Sequence, residues 1–338
     1  MSAIFTQKDL EFVSTVDFLH IKYDIYMPKE LDNIKAVIQI AHGMVEHKVR
    51  YEWLCENLAQ NGYVVAINDH RGHGKSIDDS HPLGQMRSLA KIQSINAPHN
   101  LHSQSGFYHA IIDMHELSKI LKNEFKDKKI ILLGHSMGSL LSRGYAKLFN
   151  YELNALILSG SPAYNTLLPF GITLAKILKS LGLTNGNKLI NALSFGGFNK
   201  PFVQPNAKNE SYGDFAWLNR NQEAVDMYKN DSLCQFVFSL SSFIDLFEGT
   251  QWVQDPKPTP LDSKNIEEIK FPIYIISGES DSCGNFGKGV EKIAQNYKDC
   301  GFSVDMKLYE RARHEIFQEI NKQEVLQELL MWLKKEKL

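Results

Sequence analysis

The chain has 338 residues, of which 43% are hydrophobic, so it is long enough and apolar enough to bury a sizeable core. Its 37 Lys and Arg residues nearly balance its 39 Asp and Glu residues, which leaves a formal charge of −2. A chain with this balance has no strong field to attract polyanions, so we expect no nucleic-acid partner.

The predicted elements begin with two strands between about Glu11 and Pro28, whose pattern indicates an antiparallel hairpin. From Ala36 onward, short apolar runs that suit buried strands alternate with stretches of helical periodicity. These segments are a strand over 36–41, a helix over 51–60, a strand over 63–68, a helix over 105–125, a strand over 129–133, a helix after Ser136 and a strand over 155–159. This βαβ succession predicts an α/β fold with a mainly parallel sheet and helices on both faces.

The alternation stops after Pro162 and resumes with a predicted strand that begins at Pro272. The later elements are a strand over 272–277, a helix over 286–297, a strand over 302–309 and a terminal helix after Asn321. We therefore predict one core, formed by residues 1–161 and 256–338, into which residues 162–255 are inserted as a mostly helical lid.

Two apolar stripes at helical spacing run through the predicted lid. The first consists of Leu174, Ile177, Leu178 and Leu181, and the second of Leu233, Phe236, Val237, Leu240, Phe243, Ile244 and Phe247. The stripes either only hold the lid together or also line a pocket for an acyl chain. The candidate pocket residues are Leu174, Leu178, Phe236, Leu240, Phe243 and Ile244.

A nucleophile motif stands where the strand over 129–133 turns into a helix. Gly134-His135-Ser136-Met137-Gly138 has the pattern G-x-S-x-G. A serine that is raised above a sheet needs a strained strand-to-helix turn, and small residues on both sides let strand and helix approach closely. The sequence therefore predicts that Ser136 is a catalytic nucleophile.

A serine hydroxyl needs a neutral imidazole to take its proton and a carboxylate to orient that imidazole. His314 follows the last predicted strand, and Asp281 follows the strand over 272–277, so both lie at carboxyl ends of strands, where α/β sheets place their sites. Glu279 and Asp245 are rival carboxylates, and Asp281 has the alternative role of a helix N-cap. The expected chain order is Ser136, Asp281, His314.

Two backbone N–H groups are expected to stabilise the oxyanion of a tetrahedral intermediate. One is the N–H of Met137 at the start of the nucleophile helix. The other is the N–H of Met44, because His42-Gly43 ends a strand and leaves the backbone room to turn. A plain strand-ending turn is the alternative interpretation of His42-Gly43.

Five motifs give the chain a resemblance to a known family. They are HGMVEH (42–47) with Arg50-Tyr51, DHRGHGKS (69–76), GHSMGS (134–139), SGESD (277–281) and RHEIF (313–317). With these motifs the chain resembles the monoacylglycerol lipase and lysophospholipase branch of the α/β-hydrolases, which also includes some serine aminopeptidases.

The resemblance implies an α/β-hydrolase fold with Ser136 as nucleophile, His314 as base and Asp281 as acid. It also implies that the amides of Met44 and Met137 form the oxyanion hole. Two departures from the family pattern stand out. Ser139 replaces a glycine that is common in the nucleophile motif, and the lid has no residue-by-residue match, so lid-borne specificity does not follow from the resemblance.

We therefore interpret the sequence as that of a serine hydrolase that cleaves lipid-like carboxylic esters, such as a monoacylglycerol or lysophospholipid, through an acyl-enzyme and without a cofactor. One alternative is a serine aminopeptidase, which would need lid carboxylates such as Asp245 or Glu248 aimed at a free amine. Another alternative is a non-catalytic binding protein on a hydrolase fold. The apolar stripes are compatible with transient membrane contact through the lid, and the sequence predicts no oligomeric state.

The remaining residues favour no metal site. Cys55, Cys234, Cys283 and Cys300 lie far apart without C-x-x-C spacing, so we expect free thiols, and the histidines of DHRGHGKS are expected to brace loops. The first residues lack a signal-peptide pattern, and no stretch offers about 20 uninterrupted apolar residues. We therefore expect a soluble, cytoplasmic protein.

Overall fold

The computed structural model of the chain describes residues 4–90, 97, 101–183, 186–202, 213–259 and 269–338. Within these residues, eight strands form one sheet in the order β1-β2-β4-β3-β5-β6-β7-β8. The strands are β1 (Ile4–Val13), β2 (His20–Pro28), β3 (Val37–Ala41), β4 (Val64–Asn68), β5 (Ile130–His135), β6 (Ala155–Ser159), β7 (Ile273–Gly278) and β8 (Val304–Tyr309).

The six strands from β4 to β8 in this order pair in parallel, whereas β1 pairs antiparallel with β2 and β2 antiparallel with β4. Every residue of β3, β4, β5 and β6 is buried, as a parallel sheet covered on both faces requires. In the parallel register, Ala41 stands opposite Gly134 and His135 opposite Ser159. The carboxyl ends of the central strands therefore meet at one edge of the sheet.

Helices cover both faces, which confirms the predicted fold class. Buried side chains of α1 (Glu52–Gln60) and α9 (Lys322–Lys335) pack on one face of the sheet. Those of α2 (Gly106–Glu124), α3 (Met137–Leu148) and α8 (Lys288–Asp299) pack on the other. No helix in the described ranges combines the length and apolarity that crossing a membrane requires.

Four described helices lie between β6 and β7, all within the predicted lid segment. They are α4 (Leu168–Ser180), α5 (Gly186–Phe195), α6 (Gln222–Asn230) and α7 (Leu240–Trp252). Both α4 and α7 contribute buried side chains to the same core cluster as α2 and α3. Helices α4 and α7 therefore sit on the sheet face that α2 and α3 cover.

The second apolar stripe does not form one continuous helix. Helix α7 begins only at Leu240, because the Ser239 side chain accepts a hydrogen bond from the N–H of Ser242 and caps it. Leu233 lies in a 3-10 turn before it, and Phe236 and Val237 lie in irregular backbone. Helical spacing alone could not reveal this cap.

The amino-terminal strand is longer than predicted, since β1 starts at Ile4 and not near Glu11. It is an edge strand with many exposed polar residues, and its pairing is irregular between Gln7 and Leu10. Its composition therefore lacks the apolar alternation by which a strand is recognised, and pairing with β2 decides its length.

Candidate active site

Ser136 occupies a strained turn between β5 and α3. Its backbone has φ 52° and ψ −118°, a conformation that favours glycine, and its N–H is fixed by a 2.9 Å hydrogen bond to the carbonyl of Ser159. A Cβ on Gly134 would lie 2.3 Å from the carbonyl oxygen of Gly138, and one on Gly138 would lie 2.0 Å from that of Ala41. Only glycine fits at both positions, as the pattern of the motif predicts.

The structure brings the three predicted catalytic side chains into one line of hydrogen bonds. Nε2 of His314 lies 2.9 Å from Oγ of Ser136, and Nδ1 lies 3.0 Å from Oδ2 of Asp281. The three residues follow β5, β7 and β8, whose carboxyl ends lie at the same edge of the sheet, with β6 between β5 and β7. In this geometry, a neutral His314 with its proton on Nδ1 can accept the serine proton on Nε2.

The Asp281 carboxylate is buried, and further donors hold it in place. Its Oδ1 accepts the N–H of Cys283 at 2.9 Å, and its Oδ2 accepts the Ser277 hydroxyl at 3.1 Å. Burial alone would raise the pKa of Asp281, but the His314 imidazole and the backbone N–H donors lower it below its usual value. Asp281 therefore stays ionised and can orient His314.

The same contact acts on the imidazole. Burial alone would lower the pKa of His314, but the charge of Asp281 and its hydrogen bond outweigh burial, and the pKa is raised above its usual value. The ring also contacts the rings of Trp217 and His135, each at 4.9 Å between centroids. Packing and charge thus fix the orientation of this imidazole.

The rival carboxylates lie elsewhere. Asp245 is buried, pairs with the guanidinium of Arg87 and accepts the N–H of Gly106 at 2.8 Å. Glu279 is exposed, and its Oε2 accepts the N–H of Arg311 at 3.4 Å. Among the three candidates, only Asp281 hydrogen-bonds to His314.

The two candidate oxyanion amides flank Ser136. Met137 follows it in sequence, and Met44 lies in the turn after β3, where Val45 has a positive φ of 58°. Neither N–H has a hydrogen-bond acceptor within the described ranges, and both residues line the same cavity as Ser136. Both amides are therefore free to bind an oxyanion.

A buried chain of charged groups links the turn after β3 to the loop of His314, and none of them was predicted as a site residue. Glu46 accepts the Gly43 N–H at 2.5 Å, and its other oxygen pairs with Arg50 at 2.5 Å. Arg50 also binds both carboxylate oxygens of Glu315, at 2.7 and 3.0 Å. Asn219 donates to Glu315 at 2.7 Å. The inserted segment is thus connected to the residue beside His314.

The signal for these residues was partly visible, because Glu46 and Glu315 stand inside two of the family motifs. The Arg50 guanidinium outweighs burial and holds the pKa of Glu315 below its usual value. Arg50 and Glu315 are 265 positions apart in the chain, so their pairing does not follow from local spacing.

Ser136 opens into a cavity of about 1150 Å³. Of the six predicted pocket residues, Leu174 and Phe236 line it, whereas Leu178, Leu240, Phe243 and Ile244 are not among its walls. Phe243 and Ile244 are buried in the core instead. The apolar wall includes residues not predicted for it, namely Leu140, Leu167, Leu168, Phe170, Ile190, Leu193, Phe195, Leu246 and Phe247.

The histidines of DHRGHGKS lie under the site and contact one another. The N–H of His70 donates to Nε2 of His42 at 3.0 Å, and the two rings are tilted at 45° with their centroids 4.3 Å apart. His73 lies edge-on to Phe236 and Phe238. Burial lowers the pKa of His70 to about 3 and that of His73 to about 4, so both are neutral at physiological pH. Nδ1 of His73 lies 3.1 Å from the carbonyl oxygen of Arg71, as the predicted bracing by hydrogen bonds requires. Within the described residues the His70 ring makes no hydrogen bond and contributes by packing.

A family model described as serine aminopeptidase, S33, matches residues 32–321 of the chain. A monoacylglycerol lipase of Mycolicibacterium smegmatis is 24% identical over 321 residues, which cover 93% of each chain. A phospholipase of Bacillus subtilis is 26% identical over 299 residues, which cover 87% of this chain and 93% of that protein.

Among solved structures, a thermostable carboxyl esterase from Bacillus coagulans in complex with glycerol superposes with a TM-score of 0.78. It is 25% identical, over 98% of this chain and 99% of that one. A soluble variant of the monoglyceride lipase of Saccharomyces cerevisiae in complex with a substrate analog has a TM-score of 0.67 and 19% identity, over 98% of this chain and 96% of that one. The latter likeness shows the fold alone.

Proposed function

The chain belongs to the family described as serine aminopeptidase, S33, and is an α/β-hydrolase of lipase and esterase type; from this premise we propose that it hydrolyses carboxylic esters of lipid-like substrates through an acyl-enzyme on Ser136. The substrates we propose are monoacylglycerols or lysophospholipids. The observation that carries the proposal is the hydrogen-bonded line Ser136–His314–Asp281, which opens into a large and mainly apolar cavity.

The proposed reaction begins when His314 takes the proton of Ser136 and the serine oxygen attacks the ester carbonyl. The N–H groups of Met44 and Met137 bind the oxyanion that forms, and Asp281 stabilises the imidazolium. His314 then gives its proton to the leaving alkoxide, which leaves an acyl group on Ser136. Water, deprotonated by His314, attacks this acyl group and releases the fatty acid, which restores the serine.

Lipid-like substrates are proposed because of the cavity walls. Side chains of α4, α5 and α7 form an apolar lining next to Ser136, which suits an acyl chain. Charged side chains of the link between Glu46, Arg50 and Glu315 stand at the same cavity, which suits a polar head group. We further propose that residues 162–255 act as the lid of this cavity, on a core formed by residues 1–161 and 256–338.

The rim of the cavity supports a proposal of transient membrane contact. Leu167, Phe170 and Leu193 line the cavity and are also 68%, 67% and 64% exposed. Exposed apolar side chains around a lipid-sized opening can insert between lipid head groups and lead a substrate to the serine.

An aminopeptidase would need a carboxylate free to bind the amine of its substrate. Asp245 is paired with Arg87 and Glu248 with Lys176, while Glu46 and Glu315 share Arg50. This pairing disfavours Asp245 and Glu248 as binders of a substrate amine, and the complete triad geometry favours an enzyme over a binding protein.

The deciding experiment has two arms. A fluorophosphonate probe should label the protein and fail to label Ser136→Ala. A panel of p-nitrophenyl esters, monoacylglycerols, lysophospholipids and aminoacyl amides should give the highest kcat/KM on a long-chain ester. Labelling of Ser136→Ala would remove the nucleophile assignment, and preference for aminoacyl amides would replace the substrate class.

A further inference from the structure

A second group of ligand-type side chains lies apart from the triad, where the inserted segment meets the turn after β3. His47, Asp231 and Cys234 place their ligand atoms within 4.8 Å of one another. Nε2 of His47 is 2.7 Å from Oδ2 of Asp231. His47 and Cys234 are buried, and Asp231 is half-buried. This cluster could not be predicted from the sequence, because His47 and Asp231 are 184 positions apart.

A 3-10 turn arranges two of the three residues. Asp231 precedes the turn over Ser232–Cys234, and its Oδ1 accepts the N–H of Leu233 at 2.9 Å. The N–H of Cys234 donates to the carbonyl of Asp231 at 2.9 Å, which closes the turn. Side chains three positions apart in a 3-10 turn lie on the same side. The carboxylate and the thiol therefore point together toward His47.

We propose that His47, Asp231 and Cys234 bind a zinc-type divalent cation. Thiolate, imidazole and carboxylate are the three ligand types that zinc takes in proteins. Cys234 also lines the cavity that contains Ser136, so the proposed site borders that cavity. Ligand bonds of about 2.0–2.3 Å put tetrahedral donor atoms roughly 3.3–3.8 Å apart, so the three side chains need shifts of about 1 Å.

The local charges favour a dication at this place. Arg50 lies close to Cys234 and Asp231, but two buried carboxylates, Glu46 and Glu315, already surround its guanidinium. With Asp231 added, three carboxylates stand against the single guanidinium, and a bound dication reduces that excess.

A competing set of ligand atoms exists within the triad, where Asp281, Cys283 and His314 also come within 4.8 Å. A cation there would have to displace the imidazole from Ser136 and Asp281, whereas the proposed site leaves the triad intact. The proposed site would instead join the inserted turn to the segment that follows Met44. Its occupation is expected to slow hydrolysis by holding the inserted segment against the core.

Titration of the full chain with cobalt(II) tests the site. A thiolate bound to cobalt(II) gives an intense charge-transfer band, whereas a thiolate bound to zinc gives no such band. The titration is made on Ser136→Ala, so that its outcome does not depend on ester hydrolysis. We expect the band, its loss in Cys234→Ser and its retention in Cys283→Ser. Absence of the band, or its loss only in Cys283→Ser, overturns the proposal.

A second measurement uses Asp231→Asn, which keeps the size of the side chain and the cap on Leu233. Zinc titration by calorimetry should show at least about tenfold weaker binding than in the parent, with circular dichroism unchanged. Equal affinity in parent and variant would overturn the proposal. In the protein that retains Ser136, zinc should inhibit the hydrolysis of a p-nitrophenyl ester. The substitution Cys234→Ser in that protein should remove the inhibition. Equal inhibition of both would assign zinc to the triad instead.

Discussion

The imidazole of His314 lies between the Ser136 hydroxyl oxygen, which we propose it deprotonates, and the Asp281 carboxylate, which holds its orientation. Of the acidic side chains considered for the second role, Asp281 alone hydrogen-bonds to this ring. Asp245 accepts a hydrogen bond from the guanidinium of Arg87, and the exposed Glu279 accepts one from the N–H of Arg311. The three carboxylates therefore have separable roles that substitution can measure.

Asp281→Asn is expected to lower kcat by about 10³–10⁴, because an amide favours the wrong imidazole tautomer and cannot stabilise the imidazolium. Glu279→Gln should leave kcat near its original value. Asp245→Asn should lower the melting temperature by weakening the contact to Arg87, with kcat per folded molecule nearly unchanged. Steady-state kinetics and thermal melting of the three variants provide the comparison. A larger kcat loss in Asp245→Asn than in Asp281→Asn would place the acid in the inserted segment.

The pH dependence follows from the same contact. His314 must be neutral to accept the serine proton, and its pKa is raised by Asp281 beyond the lowering effect of burial. Lowering the pH through that pKa protonates the base, so kcat/KM should fall on the acid side with a midpoint above about 6.5, the ordinary imidazole value. A profile of kcat/KM on a neutral p-nitrophenyl ester measures this midpoint. An activity maximum below about pH 5 would rule out a histidine base.

At the scale of residues, the sequence predicted the site residues that can be recognised from their immediate neighbours in the chain. Ser136, Asp281 and His314 each follow a recognisable strand, and the structure brings them within hydrogen-bonding distance. Arg50 and Asn219 were not predicted, because each acts through a partner that is distant in the chain. Side-chain pairing across elements depends on tertiary packing, which a single sequence does not display.

At the scale of elements, the apolar stripes predicted that the inserted segment is helical but not which residues line the cavity. Leu174 lines it, while Phe243 is fully buried among core side chains. Helix α7 has apolar residues that face the core and others, such as Leu246 and Phe247, that face the cavity. A helix that is buried on several sides has no single apolar face, so its periodicity cannot separate the two surfaces.

The cavity predicts an acyl-length dependence that one substitution should weaken. Each methylene removed from water contributes about 0.8 kcal/mol, nearly fourfold, so kcat/KM should rise from acetyl to octanoyl esters. Leu174→Trp fills the apolar wall and should lower octanoyl efficiency at least about tenfold, with little effect on acetyl esters. Ile177→Trp is the matched control, because Ile177 lies on the same helix, is 49% exposed and does not line the cavity. Equal losses for both esters would contradict an acyl role for this wall.

At the scale of the molecule, the mainly parallel sheet and its two helical layers followed from the alternation of strands and helices, whereas the order of the strands was not predicted. The amino-terminal edge was less predictable, since β1 is polar and exposed and takes its length from pairing with β2. The proposed core and lid boundaries remain predictions, although α4 to α7 all fall between β6 and β7. The alternation of strands and helices did not predict the exposed apolar rim of the cavity, which includes Leu167, Phe170 and Leu193.

That surface predicts binding to lipid vesicles. Burying a Leu or Phe side chain is worth about 1.5–3 kcal/mol, so Phe170→Ser combined with Leu193→Ser should weaken binding to phosphatidylcholine vesicles at least about tenfold. Met331→Ser is the control, because Met331 is 61% exposed on α9, which covers the opposite face of the sheet. Co-sedimentation measures the bound fraction. Equal binding by the double variant and the parent would remove the rim from the proposed membrane contact.

The turn at Ser136 places stability and catalysis in opposition. A non-glycine residue at φ 52° and ψ −118° costs about 1–3 kcal/mol, which the rest of the fold must offset. Ser136→Gly removes the strained Cβ and, after about 1 kcal/mol of added chain entropy in the unfolded state, should melt higher than Ser136→Ala. Equal or lower melting of the glycine variant would mean that the turn is not strained. Selection for thermal stability alone would therefore favour glycine over serine at this turn, which sets the proposed chemistry of Ser136 against the conformational preference of the fold.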